Sequence, residues 1–198
     1  MTADLKRDAY FSIQTVGIQD WDASSAHYNR YEATPYEALD ILFQFFDMPS
    51  TGRFIDFGSG KGRVPIYIHH YFRNPVCGIE RSFQLLEKAQ ENEENYRLHH
   101  NVRGNKIDWV RMQAERYVVQ PTDTMFYFFN PFSVQIFAQV VANILHSVHE
   151  HPRPIYIILF YETVEYRDWI ERYTTLSQIQ EIELSVTDPY EKFVIYTN

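Results

Sequence analysis

Residues 53–63 read Arg53-Phe54-Ile55-Asp56-Phe57-Gly58-Ser59-Gly60-Lys61-Gly62-Arg63. An apolar run carrying an acid breaks into glycines at every second position, and Val64 to Tyr71 suits a helix, so the stretch predicts a strand, a tight turn and a helix. Glycines there let the backbone turn sharply and let a ligand reach the main chain without meeting a Cβ, while the helix start offers N–H groups that lack an intrahelical partner. Spacing then sorts the ligands. A dinucleotide turn reads G-x-G-x-x-G, whereas here the third glycine comes one residue early and Arg63 stands where Gly or Ala is needed. A P-loop needs Gly-Lys followed by Ser or Thr, and no such sequence follows.

Outward from the turn, short apolar runs alternate with helical stretches. Val76 to Glu80 predicts a second strand, Phe83 to about Leu98 a charged helix, and Trp109 to Met112 a third strand. Met125 to Phe129 gives a fourth, Val134 to about His149 a helix, Ile155 to Tyr161 a fifth strand and Val164 to Tyr173 a helix. Ile179 to Val186 and Phe193 to Thr197 flank the turn signal Asp188-Pro189 and predict an antiparallel pair. Strands alternating with helices imply right-handed crossovers and a mostly parallel sheet covered on both faces, an α/β three-layer, doubly wound fold. Before the turn, Thr34-Pro35-Tyr36-Glu37 predicts a capped helix start, with an apolar face from Ala38 to Phe46. Residues 1–50 are therefore expected to form an N-terminal helical cap on a domain of residues 51–198.

The pattern Asp56-x-Gly58-x-Gly60-x-Gly62 resembles motif I of the class I S-adenosylmethionine (SAM)-dependent methyltransferases, whose seven-stranded, Rossmann-like sheet ends in an antiparallel hairpin. The resemblance covers roughly residue 50 to the C-terminus. It implies that Asp56, Gly58, Ser59, Gly60 and Gly62 back the methionine end of SAM and that Glu80, ending the second strand, takes the ribose hydroxyls. Gln113 and Ala114 match the family's acid-Ala pair at the adenine edge, with Gln in place of Asp; a surface glutamine is the alternative. Phe129-Asn130-Pro131-Phe132 resembles the Asn-Pro-Pro-(Tyr/Phe) motif of enzymes that methylate amino or amide nitrogens. That implies Asn130, Pro131 and Phe132 as the catalytic set, although Asn-Pro also starts ordinary turns. Tyr31-Glu32-Ala33-Thr34-Pro35 is similar to the Tyr-x-x-Thr-Pro segment of small lysine methyltransferases related to the Dot1 group, where it covers the cofactor, implicating Tyr31 and Thr34.

Composition narrows the partners. With 18 basic against 26 acidic residues the net charge is −8, and no basic stripe is evident, which argues against stable nucleic-acid binding. The N-terminus is polar and the apolar runs are strand-length, so neither a leader nor a membrane span is expected, and the chain reads as cytoplasmic. Cys77 is the one cysteine, which leaves no disulfide to form within the chain. His146, His149 and His151 lack a Cys or carboxylate to complete a tetrahedral set, so no metal is expected. These readings lead to a SAM-dependent methyltransferase acting on nitrogen of a protein or small molecule. The alternative is a non-catalytic SAM- or nucleotide-binding module. Acceptor and oligomeric state are left open.

Overall fold

The computed structural model of the 198-residue chain describes residues 2–17, 28–104 and 107–198. Residues 18–27 of the anticipated cap thus lie outside the described residues. Seven strands form one sheet: β1 (Arg53–Phe57), β2 (Val76–Glu80), β3 (Asp108–Arg111), β4 (Asp123–Phe129), β5 (Tyr156–Phe160), β6 (Ser177–Glu183) and β7 (Lys192–Thr197). Their order is β3-β2-β1-β4-β5-β7-β6, with β7 antiparallel to both neighbours and all other pairings parallel. The chain leaves β1 toward β2 and β3, then returns to place β4 on β1's other side. Strand order therefore reverses at β1 and β4, where an open α/β sheet leaves a crevice beyond the carboxyl ends of its strands.

Period two assigns the faces. Phe54 of β1, Tyr127 of β4 and Phe193 of β7 join a core with Phe11, Tyr36, Leu39, Leu42 and Tyr67. Ile55, Phe57, Phe126 and Phe128 turn the other way, against Phe137, Val140, Val141 and Ile144 of α5 (Val134–Glu150) and Tyr166 and Ile170 of α6 (Val164–Tyr173). The first face is covered by α1 (Ala3–Phe11), α2 (Tyr36–Phe45), α3 (Arg63–Tyr71) and α4 (Phe83–His99). Phe11, Leu39 and Leu42 are fully buried there, each worth about 1.5–3 kcal/mol against exposure, so α1 and α2 share the sheet's own core.

Three local expectations change. Thr34 does not cap α2: Pro35 occupies the cap position, the Tyr36 N–H donates to Asp4 Oδ1 at 3.2 Å, and the Thr34 hydroxyl is 2.7 Å from the Tyr127 hydroxyl. The donor need is met across the fold, which frees Thr34 to bind the sheet. Helix α1 went unanticipated because its buried side chains are Asp8 and Phe11, too few apolar residues to mark a helical period. Strand β6 starts two residues and ends three residues before its expected bounds. It is an edge strand with only Ile182 buried, so pairing with β7 sets its limits.

Candidate functional site

Gly58, Gly60 and Gly62 adopt φ of 84°, 53° and 87°, the left-handed region that glycine enters without steric cost. Contact excludes a side chain at all three, with a Cβ on Gly58 only 2.8 Å from Cβ of Pro131. A Cβ on Gly60 would lie 2.2 Å from Cε2 of Tyr31, and one on Gly62 would lie 2.6 Å from Cη2 of Trp109. Trp109 also lies against Gly78 of β2, where a Cβ would be 2.5 Å from its Cζ3, and its indole N–H donates to Glu93 at 2.8 Å. The turn thus lies between a tyrosine ring and an indole.

Glu80 ends β2 as expected and is buried. One carboxylate oxygen accepts the Gly60 N–H at 3.1 Å and the other the Ser82 N–H at 2.8 Å, so it ties the turn to the start of α4. Burial raises its pKa, and these amide bonds oppose the rise. Asp56 is more unusual. It is 4% exposed, with no hydrogen bond to its carboxylate among the described residues, and burial, reinforced by the Glu80 charge, holds its pKa well above the usual carboxylate range. Asp56, Ser59, Thr34 and Tyr127 border one small cavity, and the Ser59 hydroxyl is buried without a hydrogen-bond partner among the described residues.

Tyr31 is placed by a clamp that the sequence did not advertise. Its hydroxyl donates to the Thr15 carbonyl at 2.7 Å, and the Lys61 ammonium lies 4.8 Å from its ring centre. Arg63, 2% exposed at the start of α3, donates to the Thr15 hydroxyl at 2.7 Å, the Thr34 carbonyl at 3.0 Å and Asp4 at 2.5 Å, and lies 3.6 Å from Asp8. Asp8 in turn accepts from the Thr15 N–H and hydroxyl and the Tyr36 hydroxyl. The residue that breaks the dinucleotide pattern therefore anchors the N-terminal segment to the turn.

A cleft partly open to solvent lies at the strand-order reversal. Gly58, Glu80, Leu85, Met112, Ala114, Pro131 and Phe132 border it, and Tyr28 to Glu32 cross it. Tyr28 bridges to Phe132, the Asn29 N–H and side-chain amide donate to the carbonyls of Pro131 (3.1 Å) and Asn130 (2.6 Å), and the Arg81 guanidinium lies 4.0 Å from the Tyr28 ring. Of the expected adenine-edge pair, Ala114 borders the cleft; Gln113, two residues past β3, is not among the lining residues, and Met112 is. Asn130, at φ 37°, borders instead an outer cavity that shares Tyr28, Asn29, Arg30, Glu32 and Phe129 with the cleft and adds Tyr161. Tyr161 follows β5 with φ 56°, an outlying conformation for a bulky residue, and was not singled out in the sequence. Among the described residues, no three His, Cys, Asp or Glu side chains group as a metal site would need.

No protein-family model matches this chain, and no curated protein does. Solved structures do. An RNA methyltransferase from Salinibacter ruber, in complex with S-adenosyl-L-homocysteine, is 16% identical at TM-score 0.54, covering 84% of this chain and 92% of that one. The ribosomal protein L11 methylase from Lactobacillus delbrueckii subsp. bulgaricus is 12% identical at TM-score 0.56, covering 81% and 75%. A protein in the NADB-Rossmann superfamily from Streptococcus agalactiae is 14% identical at TM-score 0.57, covering 84% and 68%. With its reversal at β1 and β4 and its terminal antiparallel pair, this chain has the fold of the class I SAM-dependent methyltransferases.

Proposed function

We propose that the protein binds SAM in the cleft and transfers its methyl group to a nitrogen of an acceptor in the outer cavity. The observation that carries this reading is Asp56, a buried carboxyl with no hydrogen bond among the described residues, set beside Glu80 at the strand-order reversal. Such a group is costly unless a partner arrives. The ammonium of SAM fits, and the buried Ser59 hydroxyl, unbonded among the described residues, lies on the same small cavity. Glu80 accepts the Gly60 and Ser82 amides, one on each oxygen, and a carboxylate has about four acceptor positions, so it keeps acceptor capacity for a ribose hydroxyl. Leu85, Met112 and Ala114 offer apolar surface for a flat base.

When bound, SAM supplies a methyl group already activated by its positive sulfur. The protein's work is alignment and exclusion of water. Asn130 borders the acceptor side, Phe132 packs beside the cleft, and Tyr28 to Tyr36 close over both; residues 1–50 act as a cap on the domain of residues 51–198. The net charge of −8 favours a protein or small-molecule acceptor, while the RNA methyltransferase among the structural neighbours keeps RNA as a result to test for. One observation favours a second reading, a SAM-binding module without turnover: the Asn130 and Pro131 carbonyls each already accept a hydrogen bond from Asn29, which leaves one lone pair on each for a target nitrogen.

Calorimetry with SAM, S-adenosylhomocysteine and NAD tests the cofactor. SAM and S-adenosylhomocysteine are expected to bind, and Glu80→Ala to weaken them by about 1–3 kcal/mol; NAD binding without SAM binding would overturn the reading. Methyl transfer from labelled SAM to a fractionated cell extract separates the two functions. Label in protein or small molecules supports the enzyme, label in RNA changes the acceptor, and tight SAM binding with no transfer supports the module.

A further inference from the structure

The outer cavity has a chemical character of its own. Its walls include the rings of Tyr28, Phe129 and Tyr161, with Tyr161 stacked on Phe129 at 5.7 Å between centroids and 29° between planes. The Tyr161 hydroxyl donates to Asp188 at 3.3 Å, which ties β5 to the connection between β6 and β7. Burial first, and then the carboxylates of Glu191, Asp188 and Glu32, push the pKa of that hydroxyl up to about 12. Two cations are near. Arg30 is paired with Glu32 at 3.4 Å, and Arg81 lies over the Tyr28 ring, which borders the cleft as well as the outer cavity. Tyr161 keeps its ring in place despite a left-handed backbone that costs a non-glycine residue about 1–2 kcal/mol.

Resting on the methyl-transfer reading, we propose that the outer cavity selects an acceptor whose target is a basic aliphatic amine, and that Tyr161, held by Asp188, is the residue that determines this specificity. A cation gains from aromatic faces and from the surrounding carboxylates. A phosphodiester would be repelled by Asp188 and Glu191, the carboxylates that Arg30 does not pair. The amine arrives as an ammonium and first loses a proton to water through the open mouth. Its nitrogen lone pair then forms the N–C bond as the S–C bond breaks, that electron pair stays on sulfur to give neutral S-adenosylhomocysteine, and the product leaves as a methylated ammonium.

The test is titration of the protein, with and without saturating S-adenosylhomocysteine, by cadaverine, by a short lysine-containing peptide and by a short RNA oligonucleotide. At least one amine probe is expected to bind and the RNA not to. Which amine binds separates a free small molecule from a side chain. Tyr161→Leu is expected to weaken the amine about fivefold to tenfold. Tyr161→Phe keeps the ring and is expected to lose less. Asp188→Asn is expected to narrow the preference for amine over RNA. RNA binding in preference to both amines overturns the proposal. So does unchanged amine affinity in a Tyr161→Leu protein whose melting temperature matches the parent. Binding of S-adenosylhomocysteine is read separately, so its failure counts against the cofactor reading. The amine titrations of the free protein still decide the inference.

Discussion

Two sets of backbone positions meet at the site, and they reach the same unusual conformation by opposite means. Past β1 the left-handed residues are Gly58, Gly60 and Gly62; past β4 and β5 they are Asn130 and Tyr161. Glycine bears no penalty there, whereas other residues lose about 1–2 kcal/mol each, asparagine less than most. At the glycine turn a side chain is what must be missing, since Tyr31, Trp109 and Pro131 occupy the space a Cβ would take. Beside the outer cavity the side chain is what is kept, because Asn130 and Tyr161 line it. Strain retained where glycine would relieve it points to a function for the side chain.

The largest test of this contrast lies outside both sets. Arg63→Met removes the cation from Asp4, Asp8 and Thr15 and is expected to cost about 3–5 kcal/mol in chemical denaturation, the scale for a broken buried ion pair. Stability near the parent's would mean that the turn does not depend on the N-terminal segment. Gly60→Ala comes next, at about 2–4 kcal/mol, since it adds a left-handed penalty to displacement of Tyr31; a silent Gly60→Ala would remove the claim that this side excludes side chains.

Asp56→Asn should act in the opposite sense on stability. Because the folded pKa is raised, the native state holds a proton that the unfolded chain releases above about pH 4, so Asp56 favours folding below that pH and progressively less as pH rises through its folded value. Removing the charge is therefore expected to stabilise the free protein at neutral pH while SAM affinity falls. A variant that is destabilised across the whole pH range would make Asp56 a structural residue. The smallest effect is expected for Asn130→Gly, with stability within about 1 kcal/mol of the parent and a slight gain favoured. Methyl transfer should fall sharply at unchanged SAM affinity. Full turnover in Asn130→Gly would erase the contrast from the acceptor side.

Much of this architecture was legible because it rests on short-range patterns. The glycine turn, the strand-end position of Glu80, the Asn130 segment after β4 and the terminal hairpin all follow from local spacing. What escaped depends on contacts distant in sequence. Arg63 reads as a break in a motif, and only the fold brings it to Asp4, 59 residues away. Tyr161 is one aromatic among many at a strand end until its φ and its bond to Asp188 distinguish it. Thr34 illustrates the reverse error, since a complete local capping signal lost to a tertiary donor arrangement involving Asp4 and Tyr127.

Trp109 gives the glycine turn an optical consequence. Its indole touches Gly62 and Gly78, with the ring N–H fixed on Glu93, so a shift of the turn changes the packing and polarity that govern its emission. Trp169 sits on α6 near Phe137 and Tyr173, on the other face of the sheet. With Trp21 and Trp169 replaced by phenylalanine, ultraviolet fluorescence from Trp109 would report ligand entry in real time, without a dye and without turnover.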